Sequence, residues 1–189
     1  MSDSMKDQIA EHHQAVESAI GQVELLAQMA DRIVECFSSS GKLYILGNGG
    51  SAADAQHIAA ELVGRFKRDR RALPAVALTT DSSILTAVAN DLGAENCFSR
   101  QVEALVTEKD VVWALSVSGQ SPNVVRAVAS ARRIGATVIG FTGRTGDTLA
   151  ESCDLCFRAN HSDSDRVQEV HQLAYHLICD RIDRHFAST

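Results

Sequence analysis

Two groups of side chains in this chain are spaced for chemistry. His57 and Glu61 stand four residues apart, which puts them on one face of a helix. Gln168, Gln172 and His176 repeat that spacing near the C-terminus. Imidazole, carboxylate and amide oxygen together can ligate Zn²⁺ and leave a position for substrate. Carboxylate and imidazole are also groups whose pKa values are tuned toward neutrality for proton transfer. Taken alone, a His/Glu pair at this spacing is more often a surface contact than a metal site. Gln168 and His176 are separated by about 12 Å along a straight helix, at about 1.5 Å per residue. One ion can take both only if the side chains converge, the helix bends or neighbouring subunits contribute.

Two loops carry a second kind of chemistry. Gly47-Asn48-Gly49-Gly50-Ser51 follows an apolar run ending at Leu46. Its glycines let a ligand approach the backbone and offer free N–H groups. Ser51, with Asp54 three residues on, reads as a capping box for the next helix. The loop matches neither the dinucleotide fingerprint nor the P-loop. Ser116-Val117-Ser118-Gly119-Gln120-Ser121-Pro122-Asn123 follows the run 111–115. Ser121 is a good N-cap and Pro122 a good first helical residue. The loop therefore delivers a helix N-terminus and three hydroxyls to one place, a cradle for a phosphate monoester.

The elements that must position these groups follow from pattern. Short apolar runs at 43–46, 75–78, 111–115, 137–141 and 154–157 alternate with helical stretches, the mark of a parallel sheet covered on both faces. Ligands bind such sheets beyond the carboxyl ends of the strands. Residues 5–37 carry apolar positions at helical spacing and predict one long helix or a helical pair. Residues 163–186 predict a final helix, with Asp165 its candidate cap and His171 off the Gln168–His176 face. Trp113 is expected in the core, and His12, His13, His161 and His185 on the surface.

Composition narrows the classes. The chain has 189 residues, 45% hydrophobic and 22% charged, with a net charge of -6. That suits one globular α/β domain, with a helical arm over 1–40, a sheet core over 41–160 and a C-terminal helix over 161–189. The acidic balance argues against a nucleic-acid partner, since the basic residues of 65–71 are the only such cluster and read as a solvated segment or local anion contacts. No run of about 18 apolar residues marks a membrane span, and the polar N-terminus lacks an apolar signal core. A cytoplasmic location is expected. Five scattered cysteines suit reduced thiols, and the pair Cys153 and Cys156 suits packing better than metal or redox work.

Several segments together resemble the sugar-isomerase (SIS) domain family, and within it the phosphoheptose isomerases. They are Gly47-Asn-Gly-Gly-Ser-Ala-Ala-Asp-Ala-Gln-His57, Leu73-Pro-Ala-Val-Ala-Leu-Thr-Thr-Asp81, Ala89-Asn-Asp91, Phe98-Ser-Arg-Gln-Val-Glu-Ala104, Ser116-Val-Ser-Gly-Gln-Ser-Pro-Asn123 and Arg166-Val-Gln-Glu-Val-His171. The resemblance runs in register from about residue 40 to 180. It implies a single SIS domain: a doubly wound, flavodoxin-like or Rossmann-like five-stranded parallel sheet with N- and C-terminal helical arms. It implies isomerisation of sedoheptulose 7-phosphate to D-glycero-D-manno-heptose 7-phosphate through an enediol, feeding lipopolysaccharide core or another heptose product.

The resemblance further implies one zinc ion per subunit, held by His57, Glu61, Gln168 and His176, and homotetramers with sites at subunit interfaces. Glu61 and His176 are then the expected acid/base pair. The phosphate is expected on Ser116, Ser118 and Ser121, with the Val117 N–H alongside. Asn48, Gly49, Gly50, Ser51, Glu61, Asn90, Asp91 and Gln168 are expected around the sugar. The family pattern Ser-Thr-Ser-Gly-Asn/Lys-Ser is broken here at Val117 and Gln120. Val117 removes a hydroxyl that could cost about 1 kcal/mol of binding. The second reading is a non-catalytic SIS-domain protein that binds the bacterial replication initiator. Intact Glu61 and His176 favour the enzyme.

Overall fold

Five short strands form one parallel sheet in the order β2-β1-β3-β4-β5. They are β1 (Leu43–Gly47), β2 (Ala75–Ala77), β3 (Val111–Ser116), β4 (Thr137–Thr142) and β5 (Leu155–Arg158). The computed structural model describes residues 4–187. Residues 1–3 and 188–189, the outer ends of the two terminal segments, lie outside the described residues. Strand positions agree with the apolar runs to within one or two residues. Parallel strands need crossovers, and helices supply them here: α3 (Gly50–Val63), α4 (Ser82–Leu92), α5 (Ser99–Leu105), α6 (Pro122–Ile134) and the short α7 (Asp147–Ala150).

Alternation along the strands divides the interior into two cores. Leu43, Ile45, Val111, Trp113 and Leu115 face one side. Tyr44, Leu46, Val112 and Ala114 face the other, against α5, α6 and α7. The first core is covered by α3 together with the terminal helices. The N-terminal segment is a helical pair, α1 (Met5–Glu17) and α2 (Val23–Ser38), joined by a 3-10 turn at Ile20–Gln22. The last helix, α8 (Ser164–Phe186), lies in the same layer, so α2, α3 and α8 share one buried cluster. Trp113 is fully buried, as expected. Among the described residues no helix is long and apolar enough to cross a membrane.

The chain order 2-1-3-4-5 fixes the functional geometry. Strand order reverses between β1 and β3, which are hydrogen-bonded neighbours. The loops leaving their carboxyl ends therefore open side by side, at the switch point where such sheets bind ligands.

The basic segment between α3 and β2 is not merely solvated. Arg70 and Asp183 form an ion pair at 3.0 Å with both side chains fully buried. Asp183 also accepts the N–H groups of Lys67 and Arg68 at 3.1 and 2.9 Å. Arg70 donates onward to the carbonyls of Glu61 and Leu62 at the end of α3. Asp180, also on α8, adds an ion pair to Arg68 at 3.0 Å, so two carboxylates of one helix mould the turn.

Candidate active site

The first group of site residues lines a cleft of about 320 Å³ between the two strand ends: Asn48, Gly49, Gly50, Ser51, Ser116, Val117, Ser118, Ser121 and Gln168 among them. Gly49 has φ +53°, a left-handed conformation that turns β1 directly into α3. This corrects the capping expectation. The helix begins two residues earlier, at Gly50 with Gly49 as its cap, and makes no side-chain cap bond. Ser51 is consequently inside the first turn and buried, and Asp54 is freed from capping duty. A Cβ at Gly50 would run into the Gln168 amide, so this glycine is what lets α8 bring Gln168 to the cleft.

The serine loop behaves as its sequence suggests. Ser121 is the N-cap residue of α6 and Pro122 occupies its first turn, yet the Ser121 hydroxyl makes no cap bond. It accepts instead from Ser116 Oγ at 3.3 Å, so both hydroxyls stay in the cleft. Gly119 has φ +64° and closes the turn. Asn48 and Asn123 exchange a reciprocal pair of amide hydrogen bonds, 2.9 and 2.8 Å, that ties the two loops together. Val117 packs its side chain partly against the core, and its carbonyl accepts the Gly143 N–H at 2.9 Å.

Support for this loop comes from beneath. The Thr142 hydroxyl donates to the Ser116 carbonyl at 2.8 Å, and the Thr142 carbonyl accepts from His171 Nε2 at 3.1 Å. A carbonyl only accepts, so the His171 proton sits on Nε2. Complete burial pushes this imidazole down to about 4, and it stays neutral.

The second group lies farther along the seam between α3 and α8. Gly50 meets Gln168 at one end, and His57 meets Tyr175 and His176 further on. Ligand atoms of His57, Glu61 and His176 all lie within 4.8 Å of one another, each side chain half-buried. His57 Nε2 is 3.1 Å from Glu61 Oε1. His57 Nδ1 is 2.9 Å from the Tyr175 hydroxyl. The Phe66 ring stacks on His176 at 5.5 Å and 15°, held there by the turn around Asp183. Burial holds His176 below its ordinary value, reinforced by His57 and opposed by Glu61. Burial likewise raises Asp54 to about 6, against the pull of Tyr175 and His57.

Not every expected residue meets the others within one chain. Gln168 sits in the cleft, two helical turns and about 12 Å of rise from His176. Asn90 and Asp91 lie on α4, exposed and bonded to each other at 2.6 Å, and do not line the cleft. The structure also adds residues the sequence did not single out as part of the site. Asp54, Phe66 and Tyr175 carried no visible signal of that role.

Other expectations resolve more simply. Asp163 is the N-cap residue of the last helix, though its side chain makes no cap bond, and Asp165 lies in the first turn with its carboxylate on Arg166. His13 and His185 are exposed, whereas His12 and His161 are half-buried, His12 bonding Glu169 at 2.7 Å. Cys153 and Cys156 crowd around Gly140 between β4 and β5. They join no metal-ligand cluster among the described residues.

A doubly wound parallel sheet with a glycine- and serine-lined cleft at its switch point is the architecture of a sugar-phosphate-binding SIS domain. The SIS domain family model matches residues 6–143. A phosphoheptose isomerase from Geotalea uraniireducens is 48% identical over 97% of this chain and 98% of its own length. The solved phosphoheptose isomerase of Neisseria gonorrhoeae is 42% identical, with a TM-score of 0.89 over 95% of this chain and 96% of that one. The corresponding structure from Francisella tularensis is 33% identical, with a TM-score of 0.87 over 96% and 99%. The chain belongs to the phosphoheptose isomerase family of SIS domain proteins.

Proposed function

We propose that this protein is a zinc-dependent isomerase that converts sedoheptulose 7-phosphate to D-glycero-D-manno-heptose 7-phosphate. The observation that carries the reading is the convergence of His57, Glu61 and His176 on the helix seam that begins at the cleft. The donor set fits zinc in type and spacing: two imidazoles and a carboxylate within reach of one point. An ion held by these residues would supply Lewis-acid polarisation of the ketose carbonyl and its neighbouring hydroxyl.

The remaining work falls to side chains. Ser116, Ser118, Ser121 and the N-terminus of α6 take the phosphate. Asn48, Gly49, Gly50, Ser51 and the Val117 N–H border the sugar. Glu61 removes the proton from C1 and returns one to C2, through an enediol. His176, kept neutral at pH 7 by burial, moves the proton between the C1 and C2 oxygens. A residue engaged by metal is a poorer base, so the dual roles of Glu61 and His176 both require ligand exchange or a loosely held metal.

Association completes the site in this reading. Within one chain Gln168, Asn90 and Asp91 stand apart from His57, Glu61 and His176. A homotetramer with sites at subunit interfaces brings Gln168 to the zinc donors, and Asn90 and Asp91 to the sugar, from neighbouring copies. The enzyme acts on a small phosphosugar in the cytoplasm, at the entry to activated heptoses such as those of lipopolysaccharide core, with no nucleic-acid or membrane partner.

The test is chelation. Heptose 7-phosphate formation from sedoheptulose 7-phosphate falls to background when zinc is stripped and returns when zinc is restored. An unchanged rate in fully stripped protein contradicts the metal role.

A further inference from the structure

His57 is held by more than its own helix. The Tyr175 hydroxyl lies 2.9 Å from His57 Nδ1 and 3.5 Å from Asp54 Oδ1. The Tyr175 side chain is fully buried in the core, so its hydroxyl has to find partners at the seam. Asp54 is the other end of the chain of contacts, and its second oxygen, Oδ2, is buried with no partner among the described residues. The three groups come from two turns of α3 and one of α8, more than a hundred residues apart.

Proton positions follow from this arrangement. A tyrosine hydroxyl has one proton to give. If it donates to His57 Nδ1, the ring carries its own proton on Nε2 and spends it on Glu61, 3.1 Å away. If it accepts from Nδ1–H, its proton goes to the Asp54 carboxylate, and the Nε2 lone pair is free. A carboxylate at the far end favours the second order, because a carboxylate only accepts. A lone pair then faces the Glu61 oxygen across 3.1 Å, an opposition that a cation between them relieves. Imidazole ligands are commonly oriented in this way by an acceptor on the other nitrogen.

We propose that Tyr175 and Asp54 are positioning residues that fix the His57 tautomer, with Nδ1 protonated and Nε2 presented toward Glu61 and His176. The proposal rests on the zinc-site reading above and extends it to two residues that touch neither substrate nor metal. Neither residue lines the phosphate cleft.

The experiment compares the wild-type protein with Tyr175→Phe and Asp54→Asn. Zinc affinity is read by competition with a chromophoric chelator. The His57 tautomer is read by NMR of protein carrying ¹⁵N-labelled imidazoles, and Trp113 fluorescence confirms folding. Tyr175→Phe should weaken zinc about 10- to 100-fold and turn one His57 tautomer into a mixture. Asp54→Asn should act in the same direction and less. Binding of inorganic phosphate should be unchanged in both. Folded Tyr175→Phe with wild-type zinc affinity and an unchanged His57 signal overturns the positioning role alone. Wild-type protein that binds no zinc overturns the metal-site reading as well.

Discussion

The cleft and the helix seam are adjacent and built by different means. The cleft is a consequence of topology. Once strand order reverses between β1 and β3, the glycine loop and the serine loop have to lie together. Its contacts are mostly backbone groups and hydroxyls, and the Asn48–Asn123 amide pair closes it. The seam is a consequence of packing. His57, Glu61 and His176 meet because α3 and α8 share the first core, and because Asp183 folds the 65–71 turn so that Phe66 covers His176. On the proposed assignment, binding should therefore survive damage that catalysis cannot.

The largest expected effects separate the two regions outright. Glu61→Gln and His176→Gln should each lower kcat by about 10²- to 10⁴-fold while inorganic phosphate still binds the cleft. Steady-state kinetics with parallel phosphate titration checks this, and loss of phosphate binding would merge the two regions into one. Next comes the turn. Asp183→Ala leaves Arg70 buried without its partner and should cost about 3–5 kcal/mol, read from the midpoint of urea unfolding. Activity should fall further than phosphate binding, because Phe66 is released from His176.

Acid should attack the cleft from below. The buried His171 is neutral in the fold at about 4 against an ordinary 6.5, so the unfolded chain binds the extra proton first. Its contribution is intact above about 6.5 and is lost as pH falls toward 4. Thermal midpoints should drop across that window, with a shallower slope in His171→Gln. The smallest effects belong to single cleft hydroxyls. Ser118→Ala should raise KM about 10-fold, the cost of one charge-assisted hydrogen bond of about 1.5 kcal/mol, with kcat little changed. Val117→Thr should act oppositely, tempered by the packing its methyl groups now provide.

How legible each region is in the sequence follows from the same difference. The five strands and the long last helix were readable, because period and punctuation are local, whereas residues 5–37 read as one long helix or a helical pair and only the structure shows the pair. The serine loop with Ser121 and Pro122 was readable for the same reason. The capping box at Ser51 and Asp54 misled, since Gly49 could start the helix without a side chain. Asp165 misled likewise, two residues past the N-cap residue Asp163, whose own side chain makes no cap bond. The spacing of His57 with Glu61 announced a shared face but not the partner across it. Tyr175 and Phe66 gave no sign of their roles, because an aromatic at helical spacing or in a basic turn is ordinary until tertiary packing sets it against an imidazole.

The central claim is that the seam moves a proton on a phosphosugar held in the cleft. The most direct measurement is the zinc-loaded protein with sedoheptulose 7-phosphate in D₂O, followed by NMR. The account predicts heptose 7-phosphate carrying deuterium at C2. Folded, zinc-loaded protein that forms no heptose 7-phosphate would contradict it.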